Sequence, residues 1–159
     1  MIADPFPSRP SAERWAAVRR YVGVSAVGNL VWETLQLPLY ALWRTATPAY
    51  LVFAVVHCWI GDLLIASVTL AVGMLVAGRG WPARHFLRVA AVTITGGVLY
   101  TIFSEWLNVS IRHSWDYSRA MPRLPVLGTG LAPLLQWIIA PALALVWAGW
   151  AKRPARVHP

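Results

Sequence analysis

Residues 50–77 read YLVFAVVHCWIGDLLIASVTLAVGMLVA, 28 residues with a single charged side chain, Asp62. About 20 mostly apolar residues suffice for an α-helix to cross the hydrocarbon core of a bilayer. This stretch is long enough to do so with tilt. Three further blocks have the same character: Tyr21–Trp43, Phe86–Leu107 and Leu131–Trp150. Tyr21–Trp43 is the least apolar of them, because it contains Asn29, Glu33 and Gln36.

The composition agrees with lipid as the solvent. Of the 159 residues 58% are hydrophobic and 13% charged, about half the charged fraction of a soluble domain. The net charge of +8 does not indicate nucleic acid. The basic residues flank apolar blocks and form no stripe or known binding motif. Thirteen of the fourteen are Arg; with abundant Ala, Gly and Pro this suggests a GC-rich bacterial genome. Cys58 is the only cysteine, which excludes an intramolecular disulfide and a thiolate metal cluster. The polar, proline-rich start MIADPFPSRPSAER does not resemble a cleaved signal peptide. Arg19-Arg20 is read as positive charge flanking the first span rather than as a twin-arginine export signal.

The expected fold is therefore all-α and integral to a membrane. It is one domain over 1–159, an antiparallel bundle of four transmembrane helices at 21–43, 50–77, 86–107 and 131–150. The connections Arg44–Ala49 and Gly78–His85 are short enough to make their spans antiparallel neighbours. Pro38, Pro133 and Pro141 are expected to kink or break the spans that contain them. The segment 108–130 is too long for a simple connector. Leu107, Ile111 and Trp115 recur every four residues there, which predicts a short amphipathic helix on the outer interface. The rigid MPRLPVLGTG follows, and the two together form either a lid or an interfacial belt.

Positive residues collect on the cytoplasmic side of a membrane protein. Arg9, Arg14, Arg19, Arg20, Arg79, Arg84, Arg88, Lys152, Arg153 and Arg156 lie on one side, against Arg44, Arg112, Arg119 and Arg123 on the other. That bias predicts cytoplasmic tails at 1–20 and 151–159, in the inner (plasma) membrane of a bacterium. Trp15, Trp81 and Trp150 mark one boundary, and Trp43, Trp106 and Trp115 the other, as amphipathic rings do. Glu33 and Glu105 lie at different depths in the odd-numbered spans, so no internal repeat is inferred.

Counting at roughly 1.5 Å per residue puts Glu33 about 15 Å and Asp62 about 18 Å below the outer boundary, both near the midplane. His57 is shallower, Gln136 shallower still, and Glu105 is at the outer rim. Between the flanking arginines the cytoplasmic half contains no ionisable group. Steps of three and four place Ser25, Asn29, Glu33, Gln36 and Tyr40 on one face of the first span. Cys58, Asp62, Ala66 and Thr69 share a face of the second, with His57 at its edge. Thr93, Gly97, Thr101, Glu105 and Asn108 share one on the third, and Gln136 and Ala140 one on the fourth. These faces should turn inward, where buried polar groups find partners that lipid cannot supply. The expected object is a funnel open at the outer leaflet and closing near Glu33 and Asp62. Trp32, Trp59 and Trp137 either line its wall or pack against lipid and neighbouring helices.

Midplane carboxyl groups cost roughly 2.5–3.5 kcal/mol to insert, so they persist when paired, protonated or used. Glu33, Asp62 and His57 are the candidates for acid–base work. Asn29, Gln36, Glu105, Asn108, His113, Asp116 and Gln136 are the candidates for ligand binding. Polar contacts between helices are the competing role for the same residues. No metal and no cofactor is implied: the histidine spacing matches no ligand motif, and His57 has no facing partner for haem. There is no phosphate loop, nucleophile elbow or HExxH. The Asn108-Val109-Ser110 sequon abuts the membrane and is set aside. Two functions remain. One is a small membrane protein that binds or transforms a lipid-like, amphiphilic molecule. The other is a structural or assembly subunit, homo-oligomeric or within a larger membrane complex. A proton or ion pathway ranks third, because the cytoplasmic half lacks titratable relays.

Overall fold

The computed structural model describes residues 10–77 and 80–150. The tail residues Arg9, Lys152, Arg153 and Arg156, and Arg79, lie outside it. The described chain is helical, and it contains no strand, only isolated bridges between Tyr40 and Tyr117 and between Arg123 and Gly130. The elements are α1 (Pro10–Gln36), a 3-10 turn (Leu37–Leu39), α2 (Leu42–Thr45), α3 (Pro48–Ala77), α4 (Phe86–Glu105), a π-helical turn (Trp106–Ile111) and α5 (Leu131–Trp150). Three helices, Pro48–Ala77, Phe86–Ile111 and Leu131–Gly149, are long and apolar enough to cross a membrane. Helix α1 is not among them; it carries Glu13, Arg14, Arg19, Arg20 and Glu33.

α1 starts at Pro10, well before Tyr21, so part of the expected tail is helical. Ala17 and Tyr21 are buried, and the Arg20 guanidinium donates to the Ala148 carbonyl at 3.1 Å. That carbonyl is in the last turn of α5, where helix oxygens lack an internal partner and cations are favoured. At the other end Pro38 divides the expected first span. It has no N–H to donate, and it disfavours helical geometry at the preceding residue. The helix therefore ends at Gln36, and Tyr40 is extended (φ −104°, ψ 147°). Pro133 sits in the first turn of α5, where its missing N–H has no acceptor to lose. α5 continues through Pro141 without interruption.

α1 packs on α3 and α5, and α4 packs on the same two helices. Each contact follows a stripe of buried residues about every fourth position: Ala17, Tyr21, Ser25 and Asn29 on α1, and Val89, Thr93, Gly97, Thr101 and Glu105 on α4. At the end of the helices nearest the chain termini the stripes are small and apolar. Ala17, Leu70, Val89, Ala144 and Ala148 form the core there, with Trp81 and Tyr21. Gly73 allows α3 and α4 to approach closely. A Cβ at Gly73 would lie 2.9 Å from Thr93 Oγ1 and 3.1 Å from the Val89 carbonyl. The outward faces are apolar: Val52, Leu64, Leu75, Leu99, Leu143 and Trp147 are all more than half exposed.

The amphipathic helix expected through Trp115 does not form. After Glu105 the chain widens into the π-helical turn, with the Arg112 N–H bonded to Leu107 O at 2.8 Å. A five-residue hydrogen bond rotates later side chains out of the four-residue register. His113 then adopts φ 51°, and 112–130 runs as irregular chain. It is tied to the segment after Pro38: the Ala41 N–H donates to Asp116 O, and the Ser118 N–H to Leu39 O, each at 2.9 Å.

Candidate functional site

At the loop end of the helices the same stripes turn polar. The Gln136 side chain on α5 reaches toward α1 and α3. Its amide N–H group donates to Asp62 Oδ2 (2.8 Å), Asn29 Oδ1 (3.2 Å) and Glu33 Oε1 (3.2 Å). Its carbonyl accepts from the Gln36 amide at 3.2 Å, and Gln36 also donates to Glu33 Oε1 at 2.8 Å. The Glu33 and Asp62 carboxyl groups are themselves within hydrogen-bonding contact. Asn29, Gln36, Asp62 and Gln136 are all buried, with Glu33 half-buried. One amide on α5 thus joins three helices through two acids. Two carboxylates at such range cannot both carry charge unless a proton or another cation lies between them.

This cluster is the floor of a cavity of about 520 Å³, within the size range of small-molecule sites. Glu105 and Thr101 on α4, Tyr40 after the Pro38 break, and Trp137 on α5 form much of its wall. Among the described residues no Lys or Arg lines it. Two of its buried oxygens, Gln36 Oε1 and Thr101 Oγ1, have no hydrogen-bond partner, although both residues are only 5% exposed. The Trp137 ring packs directly against Gly97 and leaves no space for a Cβ there.

Tyr117, from the irregular loop, supports the wall residue Glu105 from behind. Its hydroxyl donates to Glu105 and accepts from the Gly130 N–H at 2.9 Å. Gly130 has no room for a side chain, since a Cβ would lie 3.0 Å from both Met121 Sδ and the Tyr117 ring. The Arg123 guanidinium stacks 4.8 Å from the Tyr117 ring centroid. Burial, and then the Glu105 carboxyl beside it, hold the Tyr117 hydroxyl above the ordinary phenol range.

Of the residues singled out in the sequence, Asn29, Glu33, Gln36, Asp62 and Gln136 come together in one hydrogen-bonded cluster. Glu105 lies on the cavity wall without joining that cluster, and its partner is Tyr117. Asn108 also borders the cavity, but its amide donates back to Ser104 O at 2.9 Å. His57 lies at the cavity edge, exposed and stacked on Phe53 with ring centroids 5.6 Å apart. The structure does not bring His113 or Asp116 to the cavity. Both are exposed, and Asp116 contributes its backbone carbonyl to Ala41 instead. Among the three tryptophans considered for the wall, Trp137 lines it, while Trp59 donates its indole N–H to Ala26 O at 2.7 Å, joining α3 to α1. Tyr117 was not visible as a site residue: its loop has no periodicity to carry it to Glu105. Among the described residues no three His, Cys, Asp or Glu side chains are grouped as a metal would require. No protein-family model, curated protein or solved structure matches the chain.

Proposed function

We propose that this chain is a four-span protein of the bacterial inner membrane, with both ends cytoplasmic, whose cavity opens toward the outer leaflet and binds a lipid-like, amphiphilic molecule. α1 would be the fourth span. In support, its polar residues Ser25, Asn29 and Gln36 are 1–5% exposed, whereas Val27, Val31 and Leu35 are 66%, 52% and 74% exposed. A helix that hides its amides and displays its valines suits lipid and not water. The observation that carries the binding function is the polar floor of Glu33, Asp62 and Gln136 beneath a cavity whose walls are largely aromatic and aliphatic. That is the form expected for a site that orients a polar head and leaves a hydrocarbon part against apolar surface.

Reporter fusions test the topology. Fusions at Arg44 and Ser118 are expected on the periplasmic side and those at Arg79 and Arg156 in the cytoplasm; a cytoplasmic signal at Ser118 would overturn the orientation. Native mass measurement of the purified chain tests the function. A retained small amphiphile is expected, lost in Gly61→Leu, because Gly61 borders the cavity and has nothing within 4 Å of its Cβ position. Recovery at fixed stoichiometry with other chains, and no retained small molecule, would make it a subunit of a larger membrane complex instead.

A further inference from the structure

Resting on that binding function, we propose that the head group received at the cavity floor is a primary ammonium, an N–H-bearing cation at the end of an amphiphile. Charge is the first observation. Glu33, Asp62 and Glu105 border the cavity, and among the described residues no Lys or Arg does. A phosphate, sulfate or free carboxylate would meet acids with no counter-charge. The imbalance of donors and acceptors is the second, and it is independent of charge. The Gln36 and Gln136 amides, which border the cavity, are already directed at Glu33, Asp62, Asn29 and Gln136 oxygens. Gln36 Oε1 and Thr101 Oγ1 remain buried and without a partner at the same cavity. An amide oxygen can only accept, and no donor among the described residues is within hydrogen-bonding reach of Gln36 Oε1.

These two observations select within the cations. A primary ammonium carries three N–H donors and one positive charge. With three donors it can serve both carboxyl groups from the cavity side and still donate to Gln36 Oε1. A quaternary ammonium brings the charge but no donor, and would leave that oxygen unpaired. A neutral hydroxyl head brings a donor but no charge. A divalent metal lacks a third anionic or imidazole ligand among the described residues. Tyr50 and Phe53 on α3 and Tyr100 on α4 border the cavity and are half-exposed. A hydrocarbon chain leaving the floor on that side meets aromatic surface. A free long-chain amine and an aminolipid head group share this chemistry. The aminolipid also carries a phosphate a few atoms away, for which the lining has no cation.

The test uses the full chain in alkyl-maltoside micelles. Binding of dodecylamine, dodecyltrimethylammonium, dodecanol and lysophosphatidylethanolamine is followed by tryptophan fluorescence and thermal shift, at matched mole fraction in the micelle. Dodecylamine is expected to bind at least tenfold more tightly than dodecyltrimethylammonium and dodecanol. The double variant E33Q/D62N is expected to remove that preference, bringing dodecylamine to the affinity of dodecanol in the same variant. If it does not fold, T101V, which keeps both acids, is expected to weaken dodecylamine severalfold more than dodecyltrimethylammonium. Lysophosphatidylethanolamine binding as tightly as dodecylamine would assign the ammonium to a lipid head group; weaker binding would assign it to a free amine. Equal affinity for dodecylamine and either of the other two dodecyl compounds overturns the head-group assignment but leaves amphiphile binding standing. Saturable binding of none of the four overturns both.

Discussion

The two ends of the long helices are built on the same four-residue stripe and differ in what fills it. Near the chain termini the stripe is Ala17, Leu70, Val89, Ala144 and Ala148, and the helices close on one another until Gly73 leaves no space for a methyl group. Near the loops it is Asn29, Glu33, Asp62, Glu105 and Gln136, and the helices stand around a cavity of about 520 Å³. Small residues allow helices to associate through dispersion contacts alone. Polar residues of amide and carboxyl length hold them apart and must satisfy one another. The loop end therefore depends on a few hydrogen bonds centred on one side chain, whereas the terminal end depends on many interchangeable contacts.

The largest effect should follow from removing that centre. In a bilayer, side-chain hydrogen bonds between helices average about 0.6 kcal/mol and reach about 1.7. Gln136 donates to Asn29, Glu33 and Asp62 and accepts from Gln36, so Gln136→Leu is expected to cost about 2–3 kcal/mol. The triple variant Q136L/E33L/D62L should recover most of the loss, because apolar side chains leave no acid unpaired. Unfolding in mixed micelles measures both. A triple variant no more stable than the single one would mean that the loop end, like the terminal end, is held by shape rather than by satisfied polarity.

The cluster was legible because its members lie on helices. Asn29, Glu33 and Gln36 are spaced three and four apart, Asp62 sits alone in an apolar block, and a helix projects such residues along a predictable line. The side of Asp62 that met α1 and α5 followed from that line and from the need to hide a carboxyl group. The loop was not legible in the same way. Leu107, Ile111 and Trp115 have helical spacing, yet the five-residue bond at Leu107 and the left-handed His113 take the chain out of register. The Tyr117–Glu105 contact depends on that departure. The end of α1 was similarly hidden, since an apolar run through Trp43 outweighs one proline by composition while Pro38 decides the backbone.

A pair of glycine substitutions sharpens the boundary between the two regions. Trp137 belongs both to the apolar core and to the cavity wall, and Gly97 is the floor beneath its ring. Gly97→Ala should cost about 1–3 kcal/mol by overpacking and should also shift Trp137 fluorescence. Gly23→Ala on α1, with nothing within 4 Å, should instead stabilise by about 0.5–1 kcal/mol through lost backbone freedom in the unfolded chain. Equal effects at the two positions would mean that the ring of Trp137 is not fixed against α4.

The smallest effect should be at the loop's attachment. Tyr117→Phe removes the hydroxyl that serves both Glu105 and the Gly130 N–H, with an expected loss of about 1 kcal/mol. Its pH dependence gives the contact away. The hydroxyl of the folded protein is held above the ordinary phenol range by burial and by Glu105, so the folded state keeps this proton more tightly than the unfolded chain. The stabilisation is complete below the unfolded phenol value of about 10. It declines as the pH rises from there toward the folded value. Melting temperatures of wild type and Tyr117→Phe should therefore differ by a constant amount from pH 7 to 9 and converge above about pH 10. A difference already absent at pH 8 would show that Glu105 finds its donor elsewhere, and the loop would then be held by its other contacts, among them the bonds to Pro38, Leu39 and Ala41.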